Sequence, residues 1–136
     1  MKTISHHSAL IYVMVLIAAS DRSISESELR AIGTLVKSLP VFRDFEEHRL
    51  VSVSQECAAI LTEDDGLDAV LGLIKEALPE HLRETAYWLA LEVALADSRV
   101  MLEEIRVLEM IRRTLGIERL ASAALERAAR ARYQVA

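Results

Sequence analysis

Two short stretches place acidic side chains at the same spacing. In "AASDRSISESELR", residues 18 to 30, Asp21 precedes Glu28 by a gap of six residues, and in "ALADSRVMLEEIR", residues 94 to 106, Asp97 precedes Glu104 by the same gap. An offset of 76 lays Ala18 on Ala94, Asp21 on Asp97, Glu28 on Glu104 and Arg30 on Arg106. Carboxylate oxygens suit hard divalent cations of the Ca²⁺ or Mg²⁺ class, with turn carbonyls and water completing the shell. Two carboxylates make a weak site, and the spacing is too short for an EF-hand, whose 12-residue loop ends on a distal Glu. Four carboxylates brought together by an internal two-fold would make a stronger one.

The competing reading is that these acids only cap helices. Asp at a turn and Glu in a first turn both favour a helix N-terminus, by a few tenths to about 1 kcal/mol. Ser25 and Glu28 form an S-x-x-E capping box, which accounts for Glu28. In the second copy Met101 stands where Ser25 stands in the first, so the box cannot explain Glu104. Helical phase adds a constraint. With Leu29 set at zero, Ile32 lies roughly at -60°, Leu39 at -80° and Leu35 at -120°, and Glu28, near -100°, falls between them. Glu104 lies equivalently among Leu108, Ile111 and Leu115. An inward carboxylate must find hydrogen bonds, a cation or an arginine, and Arg22, Arg30, Arg99 and Arg106 are all near in sequence.

The elements that position these acids read as helices throughout. The first is expected over about Ser5 to Ser20, apolar all round in its second half, as a central helix would be. Asp21 to Ile24 is a turn, and the second helix runs from Ser25 to Pro40 with Leu29, Ile32, Leu35, Val36 and Leu39 as its apolar stripe. A third fits Asp44 to Leu61, with Phe45, Leu50, Val53, Cys57 and Ile60 inward, and a fourth Leu67 to Leu78. Pro79 suits the first turn of a fifth, which reaches Ala96. Asp97 to Val100 is the second turn. The sixth helix spans Met101 to Leu115, stopped by Gly116, and the seventh Glu118 to Tyr133. No segment has strand periodicity and no linker divides the chain. The expectation is an all-α, single-domain bundle of about seven helices over residues 1–136, with helices one to two and five to six related by an internal pseudo-two-fold.

Composition agrees and narrows the function. The chain has 136 residues, 52% of them hydrophobic but only 4% aromatic, with four Gly and two Pro. That describes a helical domain able to bury one sizeable core. A net charge of -5 argues against a general affinity for nucleic acid, whose phosphates select basic surfaces. Other proteins are the expected partners, with the membrane touched at most peripherally. One cysteine, Cys57, excludes an internal disulfide and fits a reducing compartment. The run Ala9 to Ala19 imitates a signal peptide, but it is too short for a membrane span and has an internal counterpart at Ala86 to Ala96. It is expected to be core.

Other chemistry-bearing residues read as structural. Glu92 interrupts an apolar run at the position matching Leu16, and an arginine partner is expected, with Arg99 one candidate. His6, His7, His48 and His81 are expected on the surface. Cys57 is a small core residue, and Tyr12 and Trp88, which match across the offset, are expected to pack inside. The last helix and its approach carry Arg112, Arg113, Arg119, Arg127, Arg130 and Arg132 against Glu118 and Glu126, a solvated basic face that could meet acidic partners or anionic lipid.

The order "LIYVMVLIAASDRSISESELRAI", then "LPEHLRETAYWLALEVALADSRVMLEEIRVLEMIRRTLGI", resembles the bacterial tellurite-resistance TerB family and the wider TerB-like domain. The likeness is firmest over Ala9 to Leu39 and Leu78 to Ile117. It implies an all-helical pseudo-symmetric fold, a cytoplasmic location, a non-enzymatic role in tellurite resistance or stress response, and metal-binding acids at Asp21, Glu28, Asp97 and Glu104. One departure is that the family often has Gly directly after the Asp, whereas Arg22 and Ser98 follow here, so the turns are shaped differently. The alternative is a metal-free interaction module whose acids only cap and salt-bridge. A metal-dependent hydrolase ranks last, because no nucleophile-base pair, phosphate loop or His cluster accompanies the acids.

Overall fold

In the computed structural model, residues 3–20, 24–97, 100 and 102–136 are described. They form seven α-helices: α1 (His6–Ala18), α2 (Glu26–Ser38), α3 (Leu50–Leu61), α4 (Gly66–Ala77), α5 (Arg83–Ala94), α6 (Leu102–Leu115) and α7 (Arg119–Arg132). Three single turns of 3₁₀ helix, Pro40–Phe42, Glu47–Arg49 and Glu80–Leu82, join them, and no strand occurs among the described residues.

Helix α1 is the axis. Ser5 caps it by accepting a hydrogen bond from the Ser8 amide at 3.1 Å, and every residue from His7 to Ala18 is buried. A helix apolar on all faces is stable in water only if neighbours cover all faces. They do, because α2, α3, α4, α5 and α6 all pack against α1. Helix α5 is the second central element and touches α1, α2, α6 and α7. At about 1.5–3 kcal/mol for each large apolar side chain withdrawn from water, the buried face of these two helices dominates stability. The signal-like run is therefore core in this fold.

Several element boundaries differ from those read in the sequence. The third helix begins at Leu50 rather than Asp44, because the chain leaves α2 extended at Leu39 and turns twice through 3₁₀ geometry. That detour buries Phe42, which the helical pattern passed over, edge-on to Phe45 with ring centroids 6.1 Å apart. Pro79 precedes a 3₁₀ turn, and α5 starts only at Arg83.

Leu29 is the main correction within a helix. It is 56% exposed, whereas Ile32, Leu35 and Val36 are buried. Val36, about 20° from Leu29 in helical phase but two turns further along, is buried, so it is the place of Leu29 in the first turn, and not its phase, that leaves it uncovered. At the offset of 76, Ile105 is likewise 51% exposed beside the buried Glu104. The apolar stripe thus begins one turn later than spacing alone indicates.

Candidate acidic site

Two of the acids, Glu28 and Asp97, meet at the N-terminus of α2, and Glu104 lies in the first turn of α6. Ser25 occupies the N-cap with extended backbone, its hydroxyl accepting a hydrogen bond from the Glu28 amide at 3.0 Å. Glu28 Oε1 accepts one from the Ser25 amide, also at 3.0 Å, which completes the capping box. The Ser25 hydroxyl has one proton left to donate, and it goes to Asp97 Oδ1 at 3.1 Å, across 72 residues of sequence. Asp97, beyond the end of α5, is therefore tied to the cap of α2, with its carboxylate at the positive end of the α2 dipole.

Glu28 and Glu104 are each only 2% exposed. Their inward direction follows from helical phase, since Ile32 and Leu35 flank Glu28, and Ile111 and Leu115 lie on the Glu104 face. Both acids sit in the first turn of their helix, where a negative charge is stabilised by unpaired backbone N–H groups. Of the arginines named as possible partners, Arg30 and Arg106 are exposed, and no salt bridge joins either to Glu28 among the described residues. Asp21, Arg22 and Arg99 lie outside the described residues.

The donor set is all oxygen, which suits a hard cation, and Ser25 links Glu28 to Asp97 directly. Among the described residues, however, no three of the His, Cys, Asp or Glu side chains converge with the geometry of a metal site. The capping box also engages one oxygen of Glu28 with the backbone. Any cation here would draw on Asp97, the second oxygen of Glu28 and turn carbonyls, rather than on a closed cage.

Glu92 has the arginine partner expected of it, but the partner comes from the far end of the chain. The Arg132 Nε donates to Glu92 Oε1 at 2.8 Å, and the Tyr133 hydroxyl donates to the same oxygen. Burial, then the bond to Glu92, raises the Tyr133 pKa above the ordinary phenol value. The C-terminal end of α7 is thereby fastened to α5. Sequence reasoning had only neighbouring arginines to offer, and a contact across 40 residues leaves no local signal.

His7 is a second correction, because it is buried rather than on the surface. Its Nε2 lies 3.0 Å from the Val41 carbonyl and 3.1 Å from Asp44 Oδ1, and its ring stacks on Phe42 at 6.0 Å. The usable signal was position: one residue into a helix covered on every side, even a polar residue is enclosed. Cys57 is fully buried as expected, and burial pushes its thiol pKa up to about 12. Tyr12 is buried, but Trp88 is only half-buried.

The family model described as "Tellurite resistance protein TerB" matches residues 7–127, nearly the whole chain. No curated protein and no solved structure matches it.

Proposed function

The chain belongs to the TerB family, and from that premise we propose a non-enzymatic cytoplasmic role in tellurite resistance or stress response, exercised through other proteins, with Asp21, Glu28, Asp97 and Glu104 holding a divalent cation of the Ca²⁺ or Mg²⁺ class. The observation that supports this reading is the Ser25–Asp97 hydrogen bond, which sets one acid of the second junction on the cap of α2 beside Glu28. Glu28 and Glu104 are buried acids in the first turns of α2 and α6, and carboxylate oxygens are the ligands that a hard cation takes. No described helix is long and apolar enough to cross a membrane.

The test is a calorimetric titration of the full chain with Ca²⁺, Mg²⁺, Mn²⁺ and Zn²⁺, paired with thermal melts. A cation that binds only the folded state adds about 2.7 kcal/mol at 100 times its dissociation constant, and EDTA reverses the gain. Glu104→Gln keeps the shape and removes the charge, so the cation-dependent increment shrinks.

A second reading has its own observation. The capping box accounts for Glu28 by backbone bonds alone, as a metal-free interaction module would have it. On that reading cations leave the melting temperature unchanged and Glu104→Gln destabilises the protein with EDTA present.

A further inference from the structure

Helix α2, the end of α5 and the C-terminal end of α7 meet around an open cavity of about 310 Å³, at the lower end of the range of small-ligand pockets. Its α2 wall is Ser27, Arg30, Ala31 and Thr34, spaced i, i+3, i+4 and i+7, which is one face of a helix. Arg132 and Tyr133 line it from α7 and the residue that follows, and the buried Glu92 lines it from α5. The short side chains of Ala31 and Ala96, with Leu35, give it an apolar floor.

Two guanidiniums thus line the cavity against one carboxylate, a local excess of positive charge in a protein whose net charge is -5. The carboxylate is already engaged, since Glu92 Oε1 accepts from Arg132 Nε at 2.8 Å and from the Tyr133 hydroxyl. That bond uses only the Nε of Arg132, and a guanidinium carries four further N–H donors on its Nη atoms. Arg30 is exposed and makes no ion pair among the described residues. The hydroxyls of Ser27 and Thr34 add donors on the Arg30 side. The complement is an anion able to accept from both walls. A planar carboxylate matches one guanidinium fork, whereas a phosphoryl group has three acceptor oxygens and nearly two negative charges at neutral pH.

We propose that this cavity binds a small phosphate monoester, its phosphoryl group between Arg30 and Arg132 and its organic group on Ala31, Leu35 and Ala96. None of Glu28, Asp97 and Glu104 lines the cavity, so the site stands independently of the cation reading.

The experiment titrates the full chain with phenyl phosphate, followed by calorimetry and amide chemical shifts. Phenyl phosphate binds one to one with shifts centred on residues 27 to 35 and 132 to 133, and phenyltrimethylammonium, with the same ring and opposite charge, binds about 10-fold more weakly or not at all. Arg30→Gln, at an exposed position outside the ion pairs, leaves the fold intact by circular dichroism and weakens phenyl phosphate by about 10-fold. Arg106, which matches Arg30 at the offset of 76, is also exposed but does not line the cavity, so Arg106→Gln leaves the binding unchanged and controls for a general loss of positive charge. No binding of phenyl phosphate, equal binding of the cation, or equal losses in Arg30→Gln and Arg106→Gln overturns the proposal. Inorganic phosphate bound as tightly as phenyl phosphate overturns the monoester assignment, because the apolar floor then contributes nothing.

Discussion

The Ser25 hydroxyl donates to Asp97 Oδ1 at 3.1 Å while accepting from the Glu28 amide, so one side chain both caps α2 and receives the end of α5. Ser25→Ala removes the cap and the tie together, and a lost N-cap costs about 1 kcal/mol. Asp97→Ala removes only the tie. In urea unfolding of the two single variants and the double variant, the coupling energy is expected at about 0.5–1.5 kcal/mol. Strict additivity would mean that the two junctions touch without supporting each other.

That bond marks the limit of what the sequence made legible. The capping box, the apolar axis and the inward turn of Glu28 all follow from spacing within one helix, and each is found in the fold. The docking of Asp97 on Ser25 and of Arg132 on Glu92 depends on how separate helices pack, and residue identity does not encode that locally. His7 and Leu29 failed for the converse reason. Each sits in the first turn of its helix, where coverage by neighbours rather than periodicity decides burial.

Gly66 opens α4 immediately under the end of α3. A Cβ there would stand 2.2 Å from the Ile60 carbonyl oxygen and 2.9 Å from the Leu61 Cα, backbone atoms that cannot rotate aside. Gly66→Ala is expected to lower stability by about 2 kcal/mol, the cost of forcing atoms into a packed site outweighing the helix propensity of Ala. Gly72, in the middle of α4 with open space around its Cβ position, supplies the control. Gly72→Ala is expected to gain about 0.5–1 kcal/mol. Equal and small effects at both positions would show that α3 and α4 are not packed as described.

Cys57 makes the fold sensitive to alkali. Burial raises its thiol pKa from 9.0 to about 12, so the folded state holds the proton more tightly than the unfolded chain does. The sign follows directly: the contribution is fully present below pH 9 and is lost as pH rises towards 12, with a slope of about 1.4 kcal/mol per pH unit within that window. Tyr12, also raised by burial, adds to the loss above pH 10. Chemical denaturation between pH 8 and pH 11 should show the decline, and Cys57→Ala should flatten its lower part despite a lower starting stability. A Cys57→Ala slope identical to that of the wild type would remove the thiol from the account.

Glu92 presents an asymmetry that tests how α7 is held. Its side chain is 5% exposed, whereas the Arg132 side chain is 58% exposed, so the acid bears the desolvation and the guanidinium remains wet. Arg132→Ala with Tyr133→Phe leaves a buried carboxylate without its two donors, at an expected cost of about 2 kcal/mol. Glu92→Leu removes the buried charge and leaves two donors that water can reach. The expected outcome is a Glu92→Leu protein as stable as the wild type or more so, because an apolar replacement of a buried ion pair is often neutral or favourable. Its α7 should nonetheless be looser at the C-terminal end, read as faster amide exchange over residues 129 to 133. If Glu92→Leu instead costs more than the double donor variant, the carboxylate is engaged by more than Arg132 and Tyr133, and the fastening of α7 to α5 is not its main role.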